Sequence, residues 1–141
     1  MTDKIVSEVS RECLVTRTRK ISRVVTGIYD EELRPFGIGS PQFSLLVVVA
    51  RLQSANRAEI GRANLQDRST LTRNLQLMLA QGWIEEVPSG EGKKSRSIVI
   101  TKGGKALLAE AMPGWRKAQL RAKILFGREG VSAVTVISDG I

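Results

Sequence analysis

A set of hydrogen-bonding side chains lies in one short stretch of the sequence, and most of them fall on one arc when drawn at about 100° per residue. The set comprises Arg68, Ser69, Thr70, Thr72, Arg73 and Gln76. Guanidinium, hydroxyl and amide groups can read donors and acceptors on base edges in the major groove, or bind phosphates. Considered alone, such a set is as often a solvated helix surface. The neighbouring elements decide between the two interpretations.

A second basic cluster comprises Lys93, Lys94 and Arg96. It adjoins a turn-rich loop at residues 88–94, which is flanked by β-branched or aromatic runs at 83–87 and 97–100. These runs predict a β-hairpin whose basic tip can reach phosphates or the minor groove. Alone, the cluster is better explained as a solvated hairpin turn, but the two basic sets support each other.

The elements before the hairpin predict how the first set is held. Asn56 and Glu59 have the spacing of a capping box, which begins a short helix. Asp67 caps a second helix over residues 67–81, and Gly82 ends it. Its apolar residues share one arc and turn the polar set outward: Leu71, Leu75, Met78 and Leu79. A short helix, a turn, an amphipathic helix and a basic hairpin have the order of a winged helix-turn-helix.

Helical periodicity also precedes this region. Apolar residues at helical spacing predict one long amphipathic helix that ends near Phe36, with Gly37 as its C-terminal cap. Ser40 as the N-cap and Pro41 at the first helical position then predict a second helix. Its wide apolar arc indicates that this second helix is buried in the core.

A last long helix follows the hairpin. Thr101 is expected to cap it, and Pro113 predicts a kink inside it. The apolar pattern fades after Gly127, so any helix at residues 131–141 is expected to be short. The chain is thus predicted to be mainly α (α+β), with long terminal helices around a winged helix-turn-helix lobe.

Composition narrows the class of protein. With 141 residues, 42% of them hydrophobic and 26% charged, the chain is expected to form one globular domain. It has no apolar run of about 20 residues and no signal-peptide pattern, which predicts a cytoplasmic location without a membrane partner. One cysteine and no histidine argue against an internal disulfide, a structural zinc site and the commonest general base. We therefore expect neither an enzyme nor a cofactor, and the net charge of +8 favours a polyanionic partner.

Several motifs carry a resemblance to a known family. They are Tyr29-Asp30 with Leu33-x-Pro35-x-Gly37, Gln42-Phe43-x-Leu45-Leu46, Asp67-Arg68-Ser69-Thr70-Leu71-Thr72-Arg73-Asn74-Leu75 before Gly82, and Thr101-x-x-Gly104-x-x-Leu107-Leu108. Through these motifs the sequence resembles the MarR family of transcriptional regulators over nearly its whole length.

The resemblance implies both an assembly and a partner. It implies a homodimer whose first and last helices, at residues 1–36 and 102–141, intertwine beside a DNA-binding lobe at residues 40–101. It also implies a recognition helix in the major groove of a near-palindromic operator and a wing at the minor groove. The groove contacts carried across are Ser69, Thr70, Thr72 and Arg73. Many such proteins are repressors that small aromatic or phenolic ligands release from DNA.

Three features depart from the family pattern. Gly92-Lys93-Lys94 stands where the wing usually carries an Asp-x-Arg motif, so Lys94 is expected to be a looser point contact. Asn64-Leu65-Gln66 replaces a Leu-Gly-Met turn, and Asn64 is expected to adopt the left-handed conformation. The last helix is expected to be short, which removes apolar surface from the dimer seam.

Four single residues have two interpretations each. Cys13 is either a redox-sensing thiol or, as we favour, a small apolar filler near the dimer seam. Tyr29, Met112 and Trp115 either line an effector pocket or, as aromatic and apolar residues at helical spacing more often do, belong to the core or an interface.

Two functional hypotheses remain open. The favoured one is a homodimeric, sequence-specific regulator of transcription that binds double-stranded DNA. The alternative is a winged-helix module that contacts proteins and reads no bases. Replacing Arg73 with alanine separates them, because only a base-reading arginine should weaken and relax recognition of a specific site when it is lost.

Overall fold

Helices make up most of the protein, and two short strands form one antiparallel hairpin in this computed structural model, which describes residues 1–90 and 95–141. The expected mainly α fold class is therefore confirmed. Within those residues no single helix is long and apolar enough to cross a membrane, although the bent pair Leu14–Phe36 and Ser40–Leu52 meets the length and composition criteria together.

The N-terminal region forms two helices where the sequence predicted one. Helix α1 spans Thr2–Glu12 and helix α2 spans Leu14–Leu33. Cys13 separates them with an extended backbone, φ −66° and ψ 112°. The guanidinium of Arg17 donates to the carbonyl oxygen of Arg11, which the break leaves without its helical partner. The expectation of one continuous helix was wrong because no glycine or proline marks this break.

The connection to the next helix is a tight turn. A 3-10 turn at Arg34–Phe36 follows α2, and Gly37 adopts the left-handed conformation expected of a cap, with φ 75°. Helix α3 spans Ser40–Leu52, and Gly39, not Ser40, occupies its N-cap position. The correction has a physical reason, because the backbone N–H of Ser40 is already bonded to Oδ1 of Asp30 in α2, 2.7 Å away.

The helix-turn-helix follows α3. Helix α4 spans Arg57–Asn64, and both hydrogen bonds of the predicted Asn56 and Glu59 capping box are present. Helix α5 spans Arg68–Ala80. Between them Leu65, not Asn64, takes the left-handed conformation, with φ 49°. Asn64 instead extends α4 by one residue, so the reversal of the chain falls on the residue after it.

The hairpin consists of strand β1 at Ile84–Pro88 and strand β2 at Arg96–Ile100. They pair antiparallel, from Ile84 opposite Ile100 to Pro88 opposite Arg96. Ala55, which precedes α4, extends this pairing through two backbone hydrogen bonds to Ile98, of 2.8 and 3.5 Å. The hairpin is therefore joined by backbone bonds to the segment that leads into the helix-turn-helix.

Helix α6 spans Lys102–Asp139 and begins at the predicted cap, where the hydroxyl of Thr101 accepts from the N–H of Gly104 at 3.0 Å. Pro113 lies inside it without leaving helical geometry, so the predicted kink there was wrong. Pro113 is exposed, so the carbonyl it deprives of a donor can bond to water. The break lies at Gly127 instead, with φ 70° and ψ 173°, and helix resumes after it. The expectation of a short last helix was also wrong.

The core lies where α3, α5 and the hairpin meet the end of α2. Its largest fully buried side chains are Leu33, Leu45, Leu46, Val49, Ile60, Leu75, Met78, Ile84 and Ile98. Burial of side chains of this size is the main stabilising contribution in a domain of this kind. Helix α5 is thus held on one side by the core, and this leaves its other side to solvent.

Candidate nucleic-acid interface

Helix α5 turns most of its polar side chains away from the protein. Four members of the predicted set are exposed, namely Arg68, Ser69, Arg73 and Gln76, and the other two, Thr70 and Thr72, are half-buried. On the opposite side Leu71, Leu75 and Met78 are buried in the core. The structure therefore brings the predicted set to one exposed surface, which we call the α5 face.

The beginning of the α5 face is ordered by one carboxylate. Asp67 caps the helix, since its Oδ1 accepts from the backbone N–H of Thr70 at 2.8 Å and from the hydroxyl of Ser69 at 3.0 Å. The hydrogen bond from the Thr70 N–H is the main cause that lowers the pKa of Asp67, with smaller contributions from the two hydroxyls and from the charge of Arg73. The cap is therefore an ionised carboxylate at neutral pH.

Internal hydrogen bonds also limit what two hydroxyls can do. Ser69 donates its hydrogen to Asp67, and Thr72 donates its hydrogen to the carbonyl oxygen of Arg68 at 2.8 Å. A hydroxyl whose hydrogen is committed still accepts through its oxygen. In this arrangement Ser69 and Thr72 can accept from base amino groups, but they cannot donate to phosphate oxygens.

Two guanidinium groups supply donors on the same surface. Neither Arg68 nor Arg73 forms an ion pair with the described residues. Arginine presents a planar fork of N–H groups that matches the two acceptors on the edge of guanine. The α5 face therefore offers donors from its arginines and acceptors from its hydroxyls.

A hydrogen bond fixes α5 to the helix beneath it. Nε2 of Gln42 in α3 donates to Oδ1 of Asn74 in α5, at 2.9 Å. Both side chains are half-buried. Residue types alone did not predict this bond, although both residues belong to the motifs that carried the family resemblance.

A concave surface of about 830 Å³ lies between α4 and the start of α5. Three arginines line it, namely Arg57, Arg62 and Arg68. Arg57, the first residue of α4, pairs with Glu86 of β1, with Nη2 and Oε1 2.6 Å apart. Sequence reasoning missed Arg57 and Arg62, and no local signal points to a pair whose members lie on separate elements.

The wing is only partly described. Arg96 is exposed at the start of β2, opposite Pro88. The N–H of Ser89 donates to the carbonyl of Ser95 at 3.1 Å and continues the hairpin beyond the strands. Lys93 and Lys94 lie outside the described residues, so their part in the interface stays a prediction.

Two of the three predicted pocket residues share a cavity. Tyr29 and Trp115 line a space of about 370 Å³ together with Ser40, Phe43 and Ser44, whereas Met112 packs against the core elsewhere. The hydroxyl of Tyr29 donates to Oε1 of Gln119, which joins α2 to α6. Burial raises the pKa of Tyr29, so this phenol stays protonated.

Cys13 lies at the break between α1 and α2 and is half-buried. Hydrogen bonds, first with the side chain of Thr16 and then with its backbone, lower the pKa of the Cys13 thiol. Within residues 1–90 and 95–141, no group of cysteine and carboxylate side chains is arranged to hold a metal ion.

The sequence matches known regulators over its central region. A family model described as MarR family matches residues 36–95. The chain is 28% identical over 89 residues to the uncharacterized HTH-type transcriptional regulator YwoH of Bacillus subtilis, which covers 63% of this chain and 64% of the relative. It is 28% identical over 80 residues to the multiple antibiotic resistance protein MarR of Escherichia coli, which covers 57% and 56%. Both matches span less than two thirds of the relative.

Solved structures match the whole fold. A mutant of E. coli MarR in complex with operator DNA superposes with a TM-score of 0.83 at 18% identity, over 94% of this chain and 96% of that one. The M. tuberculosis transcriptional regulator MOSR in complex with DNA gives a TM-score of 0.73 at 30% identity, over 92% of this chain and 98% of that one. The chain therefore belongs to the MarR family and has its winged helix-turn-helix fold.

Proposed function

We propose that this protein is a homodimeric transcriptional regulator that binds double-stranded DNA in a sequence-specific manner, with α5 as its recognition helix. The observation that carries the proposal is the α5 face, because buried leucines anchor the helix while its arginines, amide and hydroxyls face solvent. The relatives solved with operator DNA and with DNA support it. We assign the protein a binding role in the cytoplasm, with no catalytic step.

Each member of the α5 face has a role that follows from its free hydrogen-bonding groups. Arg68 and Arg73 donate to guanine or to phosphates, and Gln76 can pair with adenine. Ser69 and Thr72 accept from base amino groups, because their hydrogens are committed within the protein. Thr70 contacts DNA through the part of its side chain that is exposed. In the wing, Lys93, Lys94 and Arg96 bind phosphates and add affinity without sequence preference.

Exposed apolar side chains at both ends of the chain support a homodimer. They include Ile5, Val9 and Leu14 near the N-terminus and Leu120, Ile124 and Ile137 in α6. Apolar surface left open on a single chain marks an interaction site. We propose that residues 1–36 and 102–141 form the dimerisation lobe beside a DNA-binding lobe at 40–101. A two-fold dimer then presents two α5 faces to a near-palindromic site.

The cavity beside Tyr29 supports control by a small ligand. Tyr29 and Trp115 offer aromatic surface, and Ser40 and Ser44 offer hydroxyls, so the cavity suits a small aromatic or phenolic molecule. It adjoins α3, which holds α5 through Gln42. A ligand that moves α3 would displace the recognition helix, so we propose a repressor that this ligand releases from its operator.

Selection of bound sequences from random duplex DNA tests the proposal. The purified full-length protein should enrich a near-palindromic motif whose half-sites lie about 10 base pairs apart, which is one helical turn. Repeating the selection with simple phenols should reduce the bound fraction. If no sequence is enriched while the protein remains folded, the protein-contact alternative replaces this function.

A further inference from the structure

The ion pair between Arg57 and Glu86 stands at the edge of the proposed DNA surface. Arg57 lines the concave surface between α4 and α5 together with Arg68 and Thr72, both members of the α5 polar set. The capping box at Asn56 fixes the start of α4, so the position of Arg57 is set by the backbone. A duplex that contacts the α5 face therefore passes close to this guanidinium.

The pair is not needed to hold the hairpin. Its side chains are 44% and 33% exposed, and a partly exposed ion pair contributes little to stability. The hairpin is already joined to the helix-turn-helix by two backbone bonds between Ala55 and Ile98, and Ile98 is buried. The effect of Glu86 is therefore expected mainly in DNA binding, where a carboxylate competes with phosphates for the same guanidinium.

We propose that Arg57 exchanges Glu86 for a backbone phosphate when DNA binds, and that Glu86 thereby lowers the affinity of the protein for DNA. This inference rests on the proposed function. Arg57 is a positioning contact that carries no sequence information, because a phosphate is the same at every base pair. Glu86 weakens binding to all sequences alike and leaves the order of preference among operators unchanged.

The chain offers a matched control one residue away. Glu85 is exposed on the same strand and forms no ion pair with the described residues. Glu85→Gln and Glu86→Gln remove the same charge from β1, but only Glu86→Gln frees Arg57. The difference between these two variants isolates the exchange from the general attraction between a more positive protein and DNA.

The experiment measures the dissociation constant of the full-length dimer for its selected operator by fluorescence anisotropy, between about 50 and 200 mM salt. Glu86→Gln should bind roughly three- to tenfold more tightly than Glu85→Gln at the low-salt end. Its slope of log affinity against log salt should steepen by about 0.9 per phosphate gained. Arg57→Ala should bind more weakly than wild type, and adding Glu86→Gln to it should give no more than the Glu85→Gln effect.

Equal or weaker binding of Glu86→Gln relative to Glu85→Gln would overturn the inference, since it would mean that the pair braces the hairpin or does nothing. Thermal unfolding of each variant verifies that the comparison is between folded proteins. The two proposals fail differently. If wild type selects no DNA sequence, the proposed function fails as well, whereas binding by wild type without the Glu86→Gln gain refutes the exchange alone.

Discussion

At the scale of single residues, hydrogen bonds within the protein decide what the α5 face offers to DNA. The sequence identifies Ser69 and Thr72 as polar residues on one helix surface. It does not show that Asp67 and the Arg68 carbonyl take their hydroxyl hydrogens. These bonds turn two general donors into acceptors, so part of the chemistry of the site follows only from geometry.

Asp67 makes a pH-dependent contribution to stability. Its pKa is lowered in the folded protein, chiefly by the Thr70 N–H, so its stabilising effect is full above the ordinary carboxyl value of about 3.9 and is lost as the pH falls through the lower folded value. Asp67→Ala should lower the Tm by a few degrees at pH 7, and the difference from wild type should shrink below about pH 4.

Asp67→Asn is the control for that prediction, because an amide oxygen also caps a helix. Its Tm at pH 7 should lie between those of wild type and Asp67→Ala. Melting curves recorded by circular dichroism across the pH range measure all three proteins. An Asp67→Ala variant that melts like wild type at pH 7 would show that this cap does not stabilise α5.

Local signals explain which residues were predicted correctly. Asn56, Asp67 and Thr101 cap helices through backbone groups three residues away, so their roles can be predicted from short motifs. Leu65 adopts a left-handed conformation that leucine seldom takes. Its conformation comes from the packing of α4 against α5, which no short motif encodes.

At the scale of elements, α5 depends on its apolar side for its position. Leu75 is 0% exposed, whereas Leu77 on the same helix is 45% exposed. Leu75→Ala should lower the free energy of unfolding by about 2 to 5 kcal/mol. Leu77→Ala, the matched control, should change it by no more than about 0.5 kcal/mol.

Urea denaturation of both variants measures this difference. The weakened anchor should also cost Leu75→Ala operator affinity, since a displaced α5 cannot present its arginines in register. Equal destabilisation by the two substitutions would contradict the described orientation of α5.

Helix boundaries were harder to predict than helix existence. Pro113 was expected to kink α6 and does not, whereas Gly127 breaks it. Cys13 interrupts the first helix without a glycine or proline. Periodicity reports which side of a helix is apolar, but both halves of a broken helix can keep that periodicity. The breaks therefore had to be found in the structure.

At the scale of the whole molecule, the terminal helices expose more apolar surface than a single chain needs. Ile124 is 83% exposed and Leu120 is 63% exposed in α6. If this surface joins two chains, Ile124→Asp should shift the protein from dimer to monomer, because an aspartate buried in an apolar interface is costly. Lys105→Asp, an exposed substitution near the start of the same helix, should leave the dimer intact.

Sedimentation velocity at micromolar concentration distinguishes the two states. The monomeric variant should also lose cooperative binding to a two-half-site operator. A wild-type protein that sediments as a monomer, or an Ile124→Asp variant that remains dimeric, would argue against a dimer seam at this surface.

Contacts between distant parts of the chain account for what the sequence could not predict of the site. Arg57 and Glu86 are 29 positions apart, and Tyr29 and Gln119 are 90 apart. Each residue has an ordinary environment in the sequence, and only the fold brings the partners together. The interface residues on α5 were predictable because one helix positions them all.

The central claim is that the α5 face reads bases, and the Arg73→Ala variant tests it most directly. Its affinity should be measured for the selected operator and for every single-base variant of that operator. The account predicts a loss of about 1 to 3 kcal/mol on the operator and relaxed preference at one position of each half-site, while Arg34→Ala, which removes the same charge from an exposed turn, keeps the preference. An Arg73→Ala protein that is folded and keeps the full base preference of wild type would contradict the claim.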